Sequence, residues 1–345
     1  MVAGIRIYEL NILSFIMESI AGKRILVTGG AGFVGSNLVK ALVQQWNARV
    51  TVLDDLFTGS LNNLTGVQHE FILGSVEDSV LVNECIRNVD IVFHLASRNI
   101  IISNKNPRED LNVNVKGSFN VFEACLKHKI ERVIYTSTSS IYGDPETIPV
   151  LENSRKKFLN FYSASKFSAE VYANTFFEVF HLPVTILRYS NVYGINQAPV
   201  NPYCGVVGKF IEAAVTGNPL KVHGNGEQTR DYTYIDDAVS ATIAAAVHKE
   251  AIGEDYNIGT GKETSVSELA EAIIHITKSS SVIEHINNRD IDNISRRCIN
   301  IEKARKQLHF EPKNSLEKGL MKTVNWFAEL HAGTALNLLI PSAIV

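Results

Sequence analysis

The sequence lacks an excess of charge of either sign, and this limits the partners of the chain. Its 345 residues include 33 Lys and Arg against 36 Asp and Glu, so the formal net charge is −3. A near-neutral chain has no basic surface on which to wrap a nucleic acid, so we expect no nucleic-acid partner. A local basic pocket could still hold a phosphorylated small molecule.

Long apolar runs are also missing. The first twenty residues are mostly apolar, but charged residues such as Arg6 and Glu9 interrupt them. They therefore cannot supply the ~20 apolar residues of a membrane span. They also lack the basic start and the cleavage site of a secretory signal peptide. We expect no membrane partner, treat residues 1–22 as an N-terminal extension, and hypothesise that Met17 is the natural start.

Cysteine is scarce and widely spaced. The four cysteines, Cys85, Cys125, Cys204 and Cys298, lie far apart and form no CxxC pair. Disulfide frameworks of secreted domains and zinc ribbons both need characteristic cysteine spacings. We therefore expect four ordinary thiols in a cytoplasmic enzyme that has no metal site.

What the sequence does contain is an alternation of short β-rich runs with helical stretches. The length corresponds to roughly two domains of about 150 residues each. Strands that alternate with helices indicate an α/β fold, in which helices cover both faces of a parallel sheet. Such sheets bind ligands at the carboxyl ends of their strands. The predicted strands are 24–28, 49–53, 91–95, 132–136 and 184–188, and the predicted helices include 35–46 and 162–177.

A glycine motif follows the first predicted strand. Gly29, Gly32 and Gly35 have the spacing GxxGxxG between a strand and a helix. In dinucleotide-binding turns the first glycine permits a tight turn, the second lets the backbone approach a pyrophosphate, and the third lets the helix pack on the strand. Asp54 ends the next strand, where a carboxylate accepts hydrogen bonds from ribose hydroxyls and repels a 2′-phosphate. The motif therefore predicts NAD in preference to NADP, the alternative being a glycine turn that binds no nucleotide.

A second motif, YSASK, places Tyr162 and Lys166 four residues apart, on one face of a predicted helix. An ordinary tyrosine, with a pKa near ~10, is a poor base at neutral pH. A nearby ammonium favours the phenolate, so we expect Lys166 to lower the pKa of Tyr162 and to make it a base for a sugar hydroxyl. A hydroxyl of Thr138, Ser139 or Ser140 could orient the substrate oxygen. The alternative is that the pair marks an exposed helix.

Together these motifs resemble those of the extended short-chain dehydrogenase/reductases, in particular the NAD-dependent sugar-nucleotide epimerases and dehydratases. The resemblance extends from about Lys23 to Phe327. It implies a Rossmann-like, doubly wound parallel sheet in an NAD-binding domain (23–190) and a smaller C-terminal α/β substrate domain, mainly 191–330, from which some chain returns to the first. Residues 331–345 would form a tail. The motifs that carry the resemblance are TGGAGFVG (28–35), VLDD (52–55), HLAS (94–97), NVKGS (114–118), TSTSSIYG (136–143), YSASK (162–166), RYSNVYG (188–194), QTRDYTYIDD (228–237) and NIEKARKQLHFEP (300–312).

The resemblance also implies roles for individual residues. Tyr162 would be the base, Lys166 would hold the nicotinamide ribose and tune Tyr162, and Thr138 would hydrogen-bond the reacting sugar oxygen. The implied cofactor-binding residues are Gly29, Gly32, Phe33, Val34, Gly35, Asp54, Ser75, Val76, Leu95, Ala96, Asn114, Tyr162 and Lys166. The implied substrate-binding residues are Ser139, Ser140, Asn191, Val207, His223, Arg230 and Arg297. Of these, the asparagine and the two arginines would contact the diphosphate.

Several of these residues also have ordinary structural interpretations. Arg230 could form a salt bridge with a neighbouring aspartate, and Asn191 could occupy a turn. The register around Arg296 and Arg297 is ambiguous, so we prefer Arg297 only slightly and weigh it equally against a solvated surface pair. His94 follows an apolar run, which favours a hydrogen-bonded core histidine over a catalytic one.

Two departures from the family pattern bear on the activity. Ser75 stands where the family often has an aspartate that contacts adenine, so we expect that contact to come from the backbone or from Val76. Ser139 and Ser140 stand where 4,6-dehydratases and UDP-glucuronate decarboxylases usually carry an acidic residue or pair. Loss of water across two carbons requires an acid and a base. Epimerisation requires one base and a keto intermediate that rotates in the site to present its other face. The serines therefore favour epimerisation.

The sequence thus predicts NAD-dependent epimerisation at carbon 4 of a nucleoside-diphosphate sugar, with a UDP-hexose or UDP-hexuronate favoured. UDP-glucuronate decarboxylation and 4,6-dehydration of a nucleoside-diphosphate sugar are alternative activities. A non-catalytic sensor of NAD or of a sugar nucleotide is an alternative of another class. The resemblance further implies a homodimer, in which each subunit contributes two helical segments, 111–127 and 163–180.

Overall fold

The five predicted β-rich runs all form strands, β1, β2, β4, β5 and β6. The computed structural model describes residues 14–197, 205–288 and 293–338. The strands are β1 (Arg24–Thr28), β2 (Arg49–Asp54), β3 (Glu70–Leu73), β4 (Ile91–His94), β5 (Arg132–Thr138), β6 (Val184–Tyr189), β7 (Asn191–Tyr193), β8 (Leu220–His223), β9 (Thr229–Arg230), β10 (Tyr232–Tyr234), β11 (Asp255–Ile258), β12 (Thr264–Ser265), β13 (Ile283–Ile286) and β14 (Arg296–Arg297).

Seven of these strands form one parallel sheet, in the order β11-β6-β5-β4-β1-β2-β3. The chain runs outward from β1 to β3 and then restarts at β4 on the other side of β1. Such a reversal opens a crevice at the carboxyl ends of the strands. The Rossmann-like doubly wound sheet predicted from the sequence is therefore confirmed.

The central strands of the sheet are buried on both faces, which explains why apolar residues occupy consecutive positions in them. In β1, Ile25 and Val27 belong to one apolar cluster, whereas Leu26 points to the other face and belongs to a second cluster. Every residue of β5 and β6 is buried. A strand of this kind shows no alternation of apolar and polar residues, so it appears in the sequence as a short unbroken run.

Helices cover both faces. The α-helices are α1 (Phe33–Gln44), α2 (Ser79–Ile86), α3 (Ile100–Lys105), α4 (Pro107–Asp110), α5 (Ser118–Lys127), α6 (Phe161–Phe180), α7 (Val206–Val215), α8 (Ile235–Val247), α9 (Val266–Thr277), α10 (Glu302–Leu308) and α11 (Leu316–Leu338). Short 3₁₀ turns span Leu61–Leu64, Ser139–Tyr142 and Lys249–Ala251, and Leu111–Gly117 is π-helical. Within the described residues, no helix is both long and apolar enough to cross a membrane.

Beyond β6 the chain builds three small sheets and then rejoins the large one. Strand β7 pairs with β10, β8 pairs with β13, and β9 lies between β12 and β14. Strand β11 then adds to β6 in parallel register, so that Tyr256 lies beside Leu187. The outermost strand of the large sheet therefore comes from the region predicted to bind the substrate.

Several boundaries differ from those expected. Strand β5 continues to Thr138, two residues beyond the predicted end, because it stays hydrogen-bonded to β6 up to Tyr189. The N-terminal segment is not wholly an extension: residues 14–20 are helical, and Ile16 and Ile20 are buried in the core. Residues 1–13 and 339–345 of the two predicted end segments, and Cys204, lie outside the described residues.

Candidate active site

A cavity of about 410 Å³ lies at the carboxyl end of the large sheet. Most of the chain segments around it follow or end β1, β2, β3, β4, β5 and β6. All ten predicted cofactor residues between Gly29 and Ala96 line it. Of the other predicted residues, Thr138 and Tyr162 line it as well. The cavity therefore joins the glycine turn to the YSASK helix.

The glycine turn has the shape that a dinucleotide requires. Gly29 has a φ of +71°, and a Cβ there would lie 2.7 Å from the backbone nitrogen of Ala96. A Cβ on Gly35 would lie 2.1 Å from the carbonyl oxygen of Gly29. Helix α1 begins at Phe33 with no side-chain cap and no acidic residue in its first turn. Its N-terminus can therefore face a pyrophosphate, because helix N-termini attract anions.

Asp54 is placed to receive the ribose of the same ligand. Its carboxylate accepts hydrogen bonds from the backbone N–H groups of Ala31 (2.9 Å) and Leu56 (2.8 Å). Burial raises the pKa of Asp54, and these N–H groups and the Arg98 guanidinium oppose that rise. The glycine turn and this carboxylate fit NAD. Ser75 lines the cavity too, but its hydroxyl accepts a hydrogen bond from the backbone N–H of Glu77 (3.2 Å).

Tyr162 and Thr138 meet at the other end of the cavity. Asn160 caps α6 by accepting a hydrogen bond from the Ser163 N–H (2.8 Å), which places Tyr162 in the first turn of the helix. Burial raises the pKa of Tyr162 to about 12; a hydrogen bond with the Thr138 side chain lowers it, and the Asp110 carboxylate raises it. At neutral pH Tyr162 is therefore a phenol in this structure.

Lys166 lies differently from the expectation. Its side chain is buried, and its Nζ lies 4.3 Å from the ring centroid of Tyr135. The Tyr135 hydroxyl also donates a hydrogen bond to the Lys166 carbonyl oxygen (3.2 Å). Burial lowers the pKa of Lys166 to about 7, although Glu170 and Asp110 raise it. The expected lowering of the Tyr162 pKa by Lys166 is not found here: the hydrogen bond from Thr138 lowers it instead.

Asn114, predicted to bind the cofactor, does not line the cavity. It is fully buried behind α6, where its amide donates hydrogen bonds to Asp110 Oδ1 (2.7 Å) and Ser165 Oγ (3.1 Å). Its side-chain oxygen accepts a hydrogen bond from the Arg98 N–H (2.7 Å). The π-helical segment carries it into this position. In this structure Asn114 therefore supports the Tyr–Lys helix from behind.

Ser139 and Ser140, predicted to bind substrate, also do not line the cavity. The Thr138 hydroxyl accepts a hydrogen bond from the Ser140 N–H (3.1 Å) and caps the 3₁₀ turn that follows β5. The chain therefore leaves the strand direction at this point, and the two serines turn away. The hydroxyl residues that line this end of the cavity are Ser137, Thr138 and Ser190.

The predicted diphosphate residues lie outside the cavity, on the small strands beyond β6. Arg230 on β9 is buried and donates to the carbonyl oxygens of Thr229 (2.8 Å) and Ile294 (2.9 Å). Arg297 on β14 is buried beside it in parallel register. Arg296 instead points outward, where its side chain is 60% exposed and pairs with Glu263. Of the two arginines, Arg297 is therefore the buried one and Arg296 the exposed one.

The remaining predicted substrate residues lie near these strands. Asn191 is half-buried in β7, between Ser190 and Val192, which both line the cavity. Val207 is buried in the core on α7. His223 ends β8, and its Nδ1 lies 2.7 Å from the carbonyl oxygen of Asn287.

His94 is a core residue, as expected. Its ring nitrogens lie 2.7 Å from Thr28 Oγ1 and 2.9 Å from Ser118 Oγ. Burial and the charge of Lys166 lower its pKa to about 3. A neutral imidazole with both nitrogens engaged stabilises the sheet and leaves no group for proton transfer.

Sequence reasoning missed Arg98, which lines the cavity next to Asp54. Its guanidinium bonds to Asp55 (2.6 Å) and Glu109 (2.8 Å) and lies 4.1 Å from the centroid of the Phe57 ring. The only signal in the sequence was its place directly after HLAS. It also missed Tyr135 and Ser137, because strand residues reveal their neighbours only once the fold is known. Among the described residues, no group of three His, Cys, Asp or Glu side chains could hold a metal ion.

Comparisons with known proteins agree with this geometry. The model of the NAD dependent epimerase/dehydratase family matches residues 25–259. A UDP-N-acetyl-alpha-D-glucosaminuronate decarboxylase of Bacillus cytotoxicus is 36% identical over 329 residues, which cover 89% of this chain and 98% of the relative. A UDP-glucose 4-epimerase of Mycolicibacterium smegmatis is 34% identical over 311 residues, covering 88% and 98%. The crystal structure of a UDP-glucose 4-epimerase of Thermotoga maritima with UDP-glucose has a TM-score of 0.85 and 34% identity, and covers 89% of this chain and 99% of that one.

Proposed function

Because this chain belongs to the NAD-dependent epimerase/dehydratase family, with NAD as cofactor, we propose that it epimerises carbon 4 of a nucleoside-diphosphate sugar. The favoured substrate is a UDP-hexose or a UDP-hexuronate, and the reaction passes through a 4-keto sugar. The UDP-sugar decarboxylase and UDP-glucose 4-epimerase relatives, and the solved structure with UDP-glucose, support the choice of nucleotide.

The observation that carries the proposal is the chemistry of the reacting end of the cavity. The carboxylates that line the cavity, among the described residues, are Asp54 and Asp55, and both follow β2 at the ribose end. At the Tyr162 end, the hydroxyls of Ser137, Thr138 and Ser190 line the cavity. A 4,6-dehydration needs a further acid and base beside the sugar, and a serine or threonine hydroxyl cannot serve as either at neutral pH. Epimerisation needs only the single phenol.

The chain's own residues would move and hold the proton. Tyr162 would take the proton of the 4-hydroxyl and return it after the keto sugar has presented its other face. Thr138, already hydrogen-bonded to Tyr162, would hold the same sugar oxygen. Bound NAD would supply the hydride acceptor and donor at carbon 4. Burial raises the pKa of Tyr162, so the phenolate needs positive charge nearby, which the ammonium of Lys166, one turn along the same helix, would supply.

The buried arginines are proposed to hold the diphosphate. Arg230 and Arg297 lie side by side on β9 and β14, and two guanidiniums offset the charge of a diphosphate better than the near-neutral chain could elsewhere. Asn191 would complete this contact, since both its neighbours in sequence line the cavity. We also propose that the protein is a homodimer through α5 and α6.

A panel of UDP-, dTDP-, GDP- and CDP-sugars, with products followed by NMR, tests the activity. The expected product is a sugar inverted at carbon 4, with no loss of mass. Release of carbon dioxide from UDP-glucuronate would establish decarboxylation, which the decarboxylase relative favours as a second candidate. Loss of water would establish a dehydratase. Binding of NAD and sugar nucleotide without any turnover would favour the alternative that the protein is a non-catalytic sensor.

The role of Tyr162 has its own test. Replacing it by Phe removes the proton carrier, so we expect turnover to fall by about 10²- to 10⁴-fold. NAD affinity should change little, because the ring that borders the cavity is kept. Tyr172→Phe, on the exposed side of the same helix, is the matched control and should retain turnover. Wild-type turnover by Tyr162→Phe would refute the mechanism.

A further inference from the structure

Ser137 carries a buried hydroxyl that the fold does not use. The residue is 4% exposed, and within the described part of the chain its Oγ has no hydrogen-bond partner. It lines the cavity beside Thr138 and Tyr162. Most buried polar groups in proteins are hydrogen-bonded, because an unmet hydroxyl costs free energy. A hydroxyl in this situation at the wall of a ligand cavity points to a partner in the ligand.

The register of the sheet places Ser137 on the floor of the cavity. His94 lies beside Tyr135 in the β4–β5 pair, so two residues further on, Ala96 just beyond β4 lies at the level of Ser137 near the end of β5. Ala96 lines the cofactor half of the cavity. On the other side Ser137 pairs with Arg188 of β6. Ser137 therefore lies between the cofactor half and the half that contains Tyr162.

The order of the strands indicates which part of the cofactor reaches this floor. Asp54, at the end of β2, would bind the adenosine ribose, and the glycine turn after β1 would bind the pyrophosphate. Continuing in the same direction across the sheet leads to β4 and then β5. With the adenosine ribose and the pyrophosphate placed in this way, the nicotinamide end of the dinucleotide is the part that would lie next to Ser137.

We propose that the Ser137 hydroxyl hydrogen-bonds the carboxamide of the nicotinamide ring of NAD. A carboxamide donates and accepts, as a serine hydroxyl does, so either direction of the bond is available. Thr138, the next residue outward, is engaged with Tyr162 and with the Ser140 N–H. Ser137 thereby holds the cofactor and Thr138 the reacting oxygen. The proposal rests on NAD as cofactor and does not depend on which sugar reaction follows.

The test compares two ligands that differ in the nicotinamide ring. NAD and ADP-ribose are titrated calorimetrically into the cofactor-stripped full chain, wild type and Ser137→Ala. The loss of one hydrogen bond should weaken NAD binding by about three- to tenfold. ADP-ribose lacks the carboxamide, so its affinity should be the same in both proteins. The variant without ligand should melt no lower than the wild type, because alanine removes an unmet hydroxyl.

A matched control and three contrary outcomes complete the design. Ser168→Ala removes a hydroxyl that bonds within α6, to the Ala164 carbonyl oxygen, and should leave both affinities unchanged. Equal NAD affinity in Ser137→Ala and wild type would overturn the proposal and indicate that water is the hydrogen-bond partner of the Ser137 hydroxyl. Equal weakening of NAD and ADP-ribose would overturn it in favour of a structural role. A rise in the sugar-nucleotide KM alone, with NAD binding intact, would overturn it in favour of a sugar contact.

Discussion

Lys166 is a buried lysine one turn along α6 from Tyr162, and its surroundings only partly compensate for the burial of its ammonium. The face of Tyr135 and the carboxylates of Glu170 and Asp110 favour the ammonium. Burial nevertheless dominates, since the pKa falls from 10.5 to about 7. The residue thus reduces the stability of the fold whenever it is charged, a cost that fits a functional role better than a structural one.

This cost should be visible as a pH-dependent gain in Lys166→Met. Below pH 7 both the folded and the unfolded chain carry the charge, so the folded state bears the whole penalty. Between pH 7 and 10.5 the folded chain releases its proton first, and the penalty declines as pH rises. Lys166→Met should therefore raise the melting temperature by several degrees at pH 6 and by less at pH 9, as measured by calorimetry.

The control for this prediction is Lys209→Met, which removes an exposed lysine on α7. Its melting temperature should differ from that of the wild type by the same small amount at both pH values. A gain in Lys166→Met that is equal at pH 6 and pH 9, or a loss at pH 6, would contradict the burial of the charge.

At the scale of the elements, one buried ion pair ties the catalytic helix to the sheet. Glu170 on α6, one turn beyond Lys166, receives Arg188 of β6 in a bidentate bond, with Nη2 2.7 Å and Nε 3.1 Å from its oxygens. Both side chains are at most 4% exposed. Arg188 also bonds to the Tyr142 hydroxyl (3.1 Å) and pairs with Asp255 of β11. The helix that presents Tyr162 is therefore fixed to two neighbouring strands.

Breaking this pair should be costly. Glu170→Gln leaves Arg188 buried without its bidentate carboxylate, so the free energy of unfolding should fall by about 3–5 kcal/mol, measured by urea denaturation. Glu178→Gln, on the exposed side of the same helix, should lose less than about 0.5 kcal/mol. A loss below about 1 kcal/mol in Glu170→Gln would show that the pair does not anchor the helix.

At the scale of the whole molecule, α5 and α6 leave an apolar surface uncovered. Val171, Tyr172, Val179 and Phe180 on α6 are each more than 40% exposed. The Tyr172 ring packs edge-on against Phe119 of α5, at 5.4 Å between centroids, so the two helices share this face. Contiguous exposed apolar residues of this kind mark interaction sites. A second copy of the chain would cover them by pairing the same two helices, as an isologous dimer requires.

A charge placed in this face should prevent the pairing. The wild type is expected to have the mass of a dimer in light scattering coupled to size-exclusion chromatography, and Tyr172→Arg the mass of a monomer, because the arginine would be buried without a partner charge. Val80→Arg changes a 68% exposed apolar residue on α2 and should remain dimeric. A monomeric wild type, or a dimeric Tyr172→Arg, would exclude this interface.

The sequence predicted the large sheet and the cofactor half of the cavity better than the reacting half. Strands buried on both faces appear as unbroken apolar runs, and the glycine spacing requires one local turn, so both signals are local. The orientations of Ser139 and Ser140 depend on the cap that Thr138 forms at the end of β5, which the pattern of hydroxyls does not reveal. The position of Lys166 over Tyr135, and of Arg297 beside Arg230, depends on contacts between distant segments.

The late return of β11 to the large sheet has a consequence for synthesis on the ribosome. When residue 189 has been made, β6 is complete but has no neighbour on its outer side, and its partner begins only at residue 255. At about 5–20 residues per second, the nascent chain carries this unpaired strand edge for several seconds. Chaperone demand should therefore peak in this interval, and a fragment truncated near residue 190 should aggregate where the full chain does not.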